Sequence, residues 1–142
     1  MEEAMNKKNI NILILDDEES ILSSLRRLLE DKGYNVVTYS DPVSAIEYMR
    51  NNIVHIALVD ITMPNIDGFS ALSMIKDVNG LTQIIMISAY ATTERVIAAL
   101  ENGANDFLLK PFNNLEHVVS IVEESEKKII RWQSVIRQLG AL

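Results

Sequence analysis

Residues 55–60, HIALVD, form an almost continuous apolar run that ends on a carboxylate. Residues 10–15 (INILIL) and 83–88 (QIIMIS) have the same character. Strands that are covered by helices on both faces of a parallel sheet are apolar along most of their length, whereas half-exposed strands alternate. These runs therefore predict buried parallel strands.

Five such strands are predicted, and the segments between them have the spacing of amphipathic helices. Asp41-Pro42 predicts the start of the second helix, and Gly103 predicts the end of the fourth. An alternating order of strands and helices favours a doubly wound α/β sheet. The predicted strands are residues 10–15, 35–39, 56–60, 83–88 and 106–110.

Polar residues that can carry chemistry follow the predicted strands. Asp16 and Asp17 come after the first strand, whereas Asp60, Ser88 and Lys110 end the third, fourth and fifth. The carboxyl ends of parallel strands meet at one edge, which is where ligands bind in such sheets. We therefore expect these side chains to lie close together.

A group of three carboxylates is stable mainly when a divalent cation neutralises it. Mg²⁺ fits best because it prefers oxygen ligands, which could include Asp16, Asp17 and a backbone carbonyl near Thr62. Asp60 beside the ion could act as a nucleophile in phosphoryl transfer, where positioning and charge neutralisation do most of the work. Lys110 would supply a fixed positive charge, and Ser88 a short hydroxyl donor.

These residues resemble the bacterial response-regulator receiver domains of two-component systems. The resemblance covers about residues 10–125 and implies a flavodoxin-like sheet with strand order 2-1-3-4-5. It depends on Asp16-Asp17, on residues 58–68 (LVDITMPNIDG), on Ser88-Ala89 and on Lys110-Pro111-Phe112.

The resemblance implies that Asp60 accepts a phosphoryl group from a sensor histidine kinase. It also implies that Asp16, Asp17, Asp60 and Thr62 provide the Mg²⁺ ligands and that the Lys110–Pro111 peptide is cis. Such a protein is not a conventional enzyme, because it would catalyse only its own phosphorylation and slow dephosphorylation.

Family members also switch conformation through a hydroxyl on the fourth strand and an aromatic residue on the fifth. Ser88 and Phe107 occupy these positions, although Phe107 lacks the hydroxyl of the commoner tyrosine. Phe107 is equally well explained as a fixed core residue.

Two alternatives come from other functional classes. A receiver-like domain that acts by binding alone would have lost the acidic pair, the aspartate or the lysine, and all of them are present. A flavin protein or a phosphatase on the same scaffold would need a phosphate-binding loop after the first strand, but Asp16, Asp17, Glu18 and Glu19 have the wrong charge.

Composition limits the partners and the location. The chain has 20 acidic and 13 basic residues, a net charge of −7, which disfavours binding to nucleic acid. It has no cysteine, and no apolar run is long enough to cross a membrane. We therefore expect a cytoplasmic protein with no nucleic-acid or membrane partner.

The C-terminal region differs from the rest. We divide the chain into a polar N-terminal segment (1–9), a receiver domain (10–125) and a helical extension (126–142), within a last helix of about 27 residues. The extension could form a coiled-coil homodimer, fold back on the domain, or link to an output domain that this chain lacks. Its apolar seam, expected to protrude, comprises Ile129, Trp132, Ile136 and Leu139.

Overall fold

The structure is a computed structural model that describes residues 9–61 and 68–140. Its sheet has five parallel strands in the order β2-β1-β3-β4-β5, so the predicted fold class and strand order are confirmed. The predicted limits differ by one residue at the start of β1 and at the end of β5. The strands are β1 (Asn11–Leu15), β2 (Asn35–Tyr39), β3 (Ile56–Asp60), β4 (Gln83–Ser88) and β5 (Asp106–Leu109).

A helix follows each strand, and the predicted helix signals are present. The Asp41 side chain accepts hydrogen bonds from the backbone N–H groups of Val43 and Ser44, which caps the second helix. Gly103 follows the fourth helix with a φ of 104°, a conformation that glycine adopts without strain. The helices are α1 (Glu19–Asp31), α2 (Pro42–Asn51), α3 (Gly68–Val78), α4 (Thr93–Glu101) and α5 (Leu115–Gly140).

Alternate residues of each central strand pack on opposite faces of the sheet. In β3, Ala57 and Val59 join the core under α2, α3 and α4, whereas Ile56 and Leu58 join the core under α1 and α5. The side chains on both faces of the central strands are therefore buried, which explains why these strands are apolar along nearly their whole length. None of the helices in residues 9–61 and 68–140 is long and apolar enough to cross a membrane.

The helix α5 has 26 residues, or about 39 Å at 1.5 Å per residue. It is longer than the sheet that it covers, and its buried residues include Val118, Val122 and Ile129. Ile129 is only 6% exposed and belongs to the core on the α1 side of the sheet. The expectation that Ile129 would protrude is therefore wrong, because the helix stays in contact with the domain for one turn more than the seam pattern suggested.

A buried polar contact supports this part of α5. The Tyr34 hydroxyl donates a hydrogen bond of 2.6 Å to Glu126 Oε1, across 92 residues of sequence. Burial and the neighbouring Glu126 carboxylate raise the pKa of Tyr34, so its hydroxyl stays protonated as a donor. Together with Ile129, this bond holds the base of the extension against the end of α1 and the start of β2.

We predict that Ile129→Ala lowers the free energy of unfolding by about 2–4 kcal/mol, because it removes buried methylene and methyl groups from the core. The matched control, Val43→Ala, removes methyl groups at a position of α2 that is 70% exposed, so a change within about 0.5 kcal/mol is expected. Urea unfolding followed by circular dichroism measures both. Equal effects of the two substitutions would contradict the placement of Ile129 in the core.

Candidate functional site

The parallel strands bring the predicted site residues to one edge of the sheet. β1, β3, β4 and β5 are direct neighbours, and all of them end at the same side. Asp60 pairs with Ile87, next to Ser88, and Ser88 pairs with Leu109, next to Lys110. The spacing of these residues along the edge is therefore fixed by backbone hydrogen bonds rather than by loops.

Among the described residues, three carboxylates surround the Lys110 ammonium group. Its Nζ atom is 2.7 Å from Asp16 Oδ2, 3.1 Å from Glu18 Oε1 and 3.6 Å from Asp60 Oδ2. The Lys110 side chain is only 7% exposed. Burial acts to lower the pKa of Lys110, but the hydrogen bonds to Asp16 and Glu18 and the nearby negative charges outweigh it and raise the pKa. The lysine is therefore a permanent cation in the site.

Asp16 is fully buried at the end of β1. Its Oδ1 atom accepts a hydrogen bond of 2.9 Å from the backbone N–H of Glu18. Among residues 9–61 and 68–140, the partner of its Oδ2 atom is the Lys110 ammonium group, 2.7 Å away. Burial raises the pKa of the Asp16 carboxyl, although Lys110 and the Glu18 N–H act in the opposite direction. A buried carboxylate oxygen with spare acceptor capacity is suited to a metal ion.

The donor set also fits a divalent cation. Carboxylate oxygens of Asp16, Asp17 and Glu18 lie within 4.8 Å of one another, and Asp17 and Glu18 are exposed. Oxygen ligands with access to solvent suit Mg²⁺, which keeps several of its waters. The other two expected ligands are Asp60, which is buried beside Lys110, and Thr62, which lies outside the described residues.

Ser88 is buried at the end of β4. Its Oγ atom accepts a hydrogen bond of 3.0 Å from the backbone N–H of Tyr90, and its carbonyl accepts one of 2.8 Å from the N–H of Lys110. An oxygen that accepts a hydrogen bond still has its own proton to donate. The hydroxyl of Ser88 can therefore serve as a donor at the edge of the sheet.

Phe107 lies on β5, three residues before Lys110. It is partly buried and packs against the core on the α4 side of the sheet, in register with Met86 of β4. The Lys110–Pro111 peptide bond is cis, and Phe112 packs against the core on the opposite face. The cis peptide lies between the lysine of the site and the loop that leads to α5.

The extension carries the rest of the predicted seam. Trp132 is 50% exposed, and Ile136 and Leu139 are also exposed, as expected; Ile129 is the exception described above. Val135 adds a further exposed apolar residue to the same stripe. These residues are far along α5 from the carboxyl edge of the sheet.

Within the described part of the chain, Glu18 belongs to the site although the sequence did not single it out. It precedes the first turn of α1 in an extended conformation, and its side chain makes no capping hydrogen bond to the helix. The acidic run was visible in the sequence, but the run does not reveal which carboxylate reaches a lysine 92 positions away. That contact depends on where α1 begins relative to β5.

Known proteins share these features. Residues 12–123 match the family described as the response regulator receiver domain. The transcriptional regulatory protein ZraR of Escherichia coli is 36% identical over 79% of this chain and 26% of its own length. The response regulator GtcR of Aneurinibacillus migulanus is 35% identical over 87% of this chain and 54% of its own length. The chain thus spans about a quarter to a half of these relatives.

Solved structures of receiver domains have the same fold as this chain. A CheY-like receiver domain protein from Methanospirillum hungatei has a TM-score of 0.82 at 27% identity, covering 86% of this chain and 97% of that one. The beryllofluoride-activated receiver domain dimer of NtrC4 has a TM-score of 0.80 at 28% identity, covering 84% and 98%. This chain therefore belongs to the response regulator receiver domain family, whose members are the phosphoacceptors of two-component signalling.

Proposed function

We propose that Asp60 accepts the phosphoryl group, with Mg²⁺ held by Asp16, Asp17 and Asp60. The observation that carries this proposal is the position of Lys110, whose buried ammonium group faces both Asp16 and Asp60 at the carboxyl edge of the sheet. A nucleophile, a cation and acidic metal ligands are the groups that phosphoryl transfer requires. The donor would be the phosphohistidine of a sensor kinase in the cytoplasm, or a small phosphodonor.

In this reaction a carboxylate oxygen of Asp60 forms a bond to phosphorus while the bond from phosphorus to the donor nitrogen or oxygen breaks. The electron pair of the broken bond stays with the leaving group, which departs as neutral imidazole or ammonia from a protonated nitrogen donor, or as acetate from acetyl phosphate. Mg²⁺, when bound, would neutralise charge on the phosphoryl oxygens. Lys110 would pair with one of those oxygens, and the Ser88 hydroxyl would donate to another. Water attack on the acyl phosphate would later reverse the modification.

Ser88 and Phe107 are the proposed switch residues. A move of the Ser88 hydroxyl toward a phosphoryl oxygen would break its hydrogen bond with the Tyr90 N–H and change the start of the loop before α4. Phe107 is only partly buried, so it has room to pack more deeply behind that loop. Because Phe107 has no hydroxyl, its part in the switch would be one of packing alone.

We expect intact wild-type protein to gain one phosphoryl mass on incubation with acetyl phosphate or phosphoramidate, and only when Mg²⁺ is present. Asp60→Asn should gain none, because the amide is not a nucleophile at this position. Intact-mass spectrometry measures both, and Asp77→Asn on α3 is the matched control that should be phosphorylated like the wild type. The absence of any gain in wild type would instead favour a domain that works by binding alone.

The extension of α5 supports a proposal about assembly. Trp132, Val135, Ile136 and Leu139 form an exposed apolar stripe beyond the sheet, and such a stripe is usually covered by a partner. The NtrC4 receiver domain is a dimer in its activated form. We propose that two copies of this chain pair through this stripe as a coiled coil. A link to an output domain, as the greater length of the relatives suggests, is the alternative.

Sedimentation equilibrium should therefore give a mass that rises with protein concentration toward that of a dimer. Ile136→Glu should shift the mass toward the monomer, because it places a charge in the apolar stripe. Ser134→Glu adds the same charge on the side of the helix away from the stripe and should leave the association unchanged. A monomer mass for the wild type at every concentration would exclude the coiled coil.

A further inference from the structure

Glu18 stands out among the three carboxylates around Lys110. Asp16 and Asp60 are buried, whereas the Glu18 side chain is 57% exposed. Even so, Glu18 Oε1 is closer to Lys110 Nζ than Asp60 Oδ2 is, at 3.1 Å against 3.6 Å. In this state, Lys110 is drawn toward Glu18 rather than toward the proposed phosphoacceptor.

The pair has little structural role elsewhere. The Glu18 side chain makes no capping hydrogen bond to α1, and the Glu18 backbone N–H is already bound to Asp16. An ion pair with one partner largely in solvent is weak and can be exchanged without exposing apolar surface. Asp16, by contrast, holds Lys110 from a fully buried position and at a shorter distance.

We propose that Glu18 is a positioning residue. It holds the Lys110 ammonium group away from Asp60 in the unphosphorylated state and competes with the phosphoryl group for it. This inference rests on the function proposed above for Asp60 and Lys110. An ammonium group has three donors, and Asp16 occupies one of them. Glu18 occupies a second donor at 3.1 Å and holds the ammonium group 3.6 Å from Asp60 Oδ2, which is beyond hydrogen-bond distance. A close contact with a phosphoryl oxygen on Asp60 therefore requires Lys110 to move away from Glu18. Glu18 thereby slows the gain of the phosphoryl group and destabilises the phosphorylated state.

The rival role for Glu18 is that of a metal ligand, because its carboxylate lies within 4.8 Å of those of Asp16 and Asp17. The two roles have opposite consequences. Loss of a ligand weakens Mg²⁺ binding and slows phosphorylation at low Mg²⁺. Loss of a competitor for Lys110 leaves Mg²⁺ binding nearly unchanged and speeds phosphorylation when Mg²⁺ is saturating.

The test compares wild type with three variants. Glu18→Gln removes the charge, and Glu18→Asp keeps the charge but withdraws it from Lys110 by one methylene. Glu19→Gln removes a neighbouring exposed charge that has no contact with Lys110 among the described residues, and so controls for general repulsion of an anionic donor. Three quantities are measured for each: the rate of phosphoryl uptake from phosphoramidate at saturating Mg²⁺, the half-life after donor removal, and the Mg²⁺ dissociation constant by calorimetry.

We expect Glu18→Gln and Glu18→Asp to take up the phosphoryl group at least threefold faster and to retain it longer, with the Mg²⁺ dissociation constant within twofold of wild type. Glu19→Gln should behave as wild type. Equal acceleration in Glu18→Gln and Glu19→Gln, unchanged kinetics in Glu18→Gln, or a clearly weakened Mg²⁺ affinity would each overturn the inference while leaving phosphorylation of Asp60 intact. If wild type takes up no phosphoryl group, the proposed function fails as well.

Discussion

One buried ammonium group, that of Lys110, offsets three carboxylates at the carboxyl edge of the sheet. Without this cation, Asp16 and Asp60 would be two buried negative charges side by side, an arrangement that favours protonation over ionisation. The ammonium group that stabilises these carboxylates is also the cation that would pair with a transferred phosphoryl group. Under the proposed function, the stability of the unmodified state and the phosphorylation of Asp60 would both depend on this ammonium group.

The sheet explains why this contact forms. Backbone pairing places the ends of β1, β3, β4 and β5 side by side. The residues at these ends are therefore neighbours regardless of the loop conformations. Both faces of these strands are covered, which leaves the edge as the place where polar side chains can meet solvent and ligand. The apolar strands and the polar edge are thus two consequences of one architecture.

The helix α5 extends past the part of the domain core that it covers. Its inner part is held by Ile129 in the core and by the hydrogen bond between Tyr34 and Glu126, so the exposed stripe is anchored to the domain at its inner end. This anchoring gives the extension a defined direction. That is a requirement both for pairing with a second copy and for transmitting a movement of the domain to an output segment.

The sequence by itself determined the order of strands and helices, because burial on both faces of a parallel sheet demands nearly continuous apolar runs. It also placed Asp16, Asp60, Ser88 and Lys110 at one edge, because parallel strands all end on the same side. Only the tertiary structure decided which side chains meet. The contact of Glu18 with Lys110 spans 92 positions, as does that of Tyr34 with Glu126. Such contacts depend on how far each helix extends over the sheet, and so does the number of α5 residues that are buried. The local pattern of apolar residues in the sequence does not encode this.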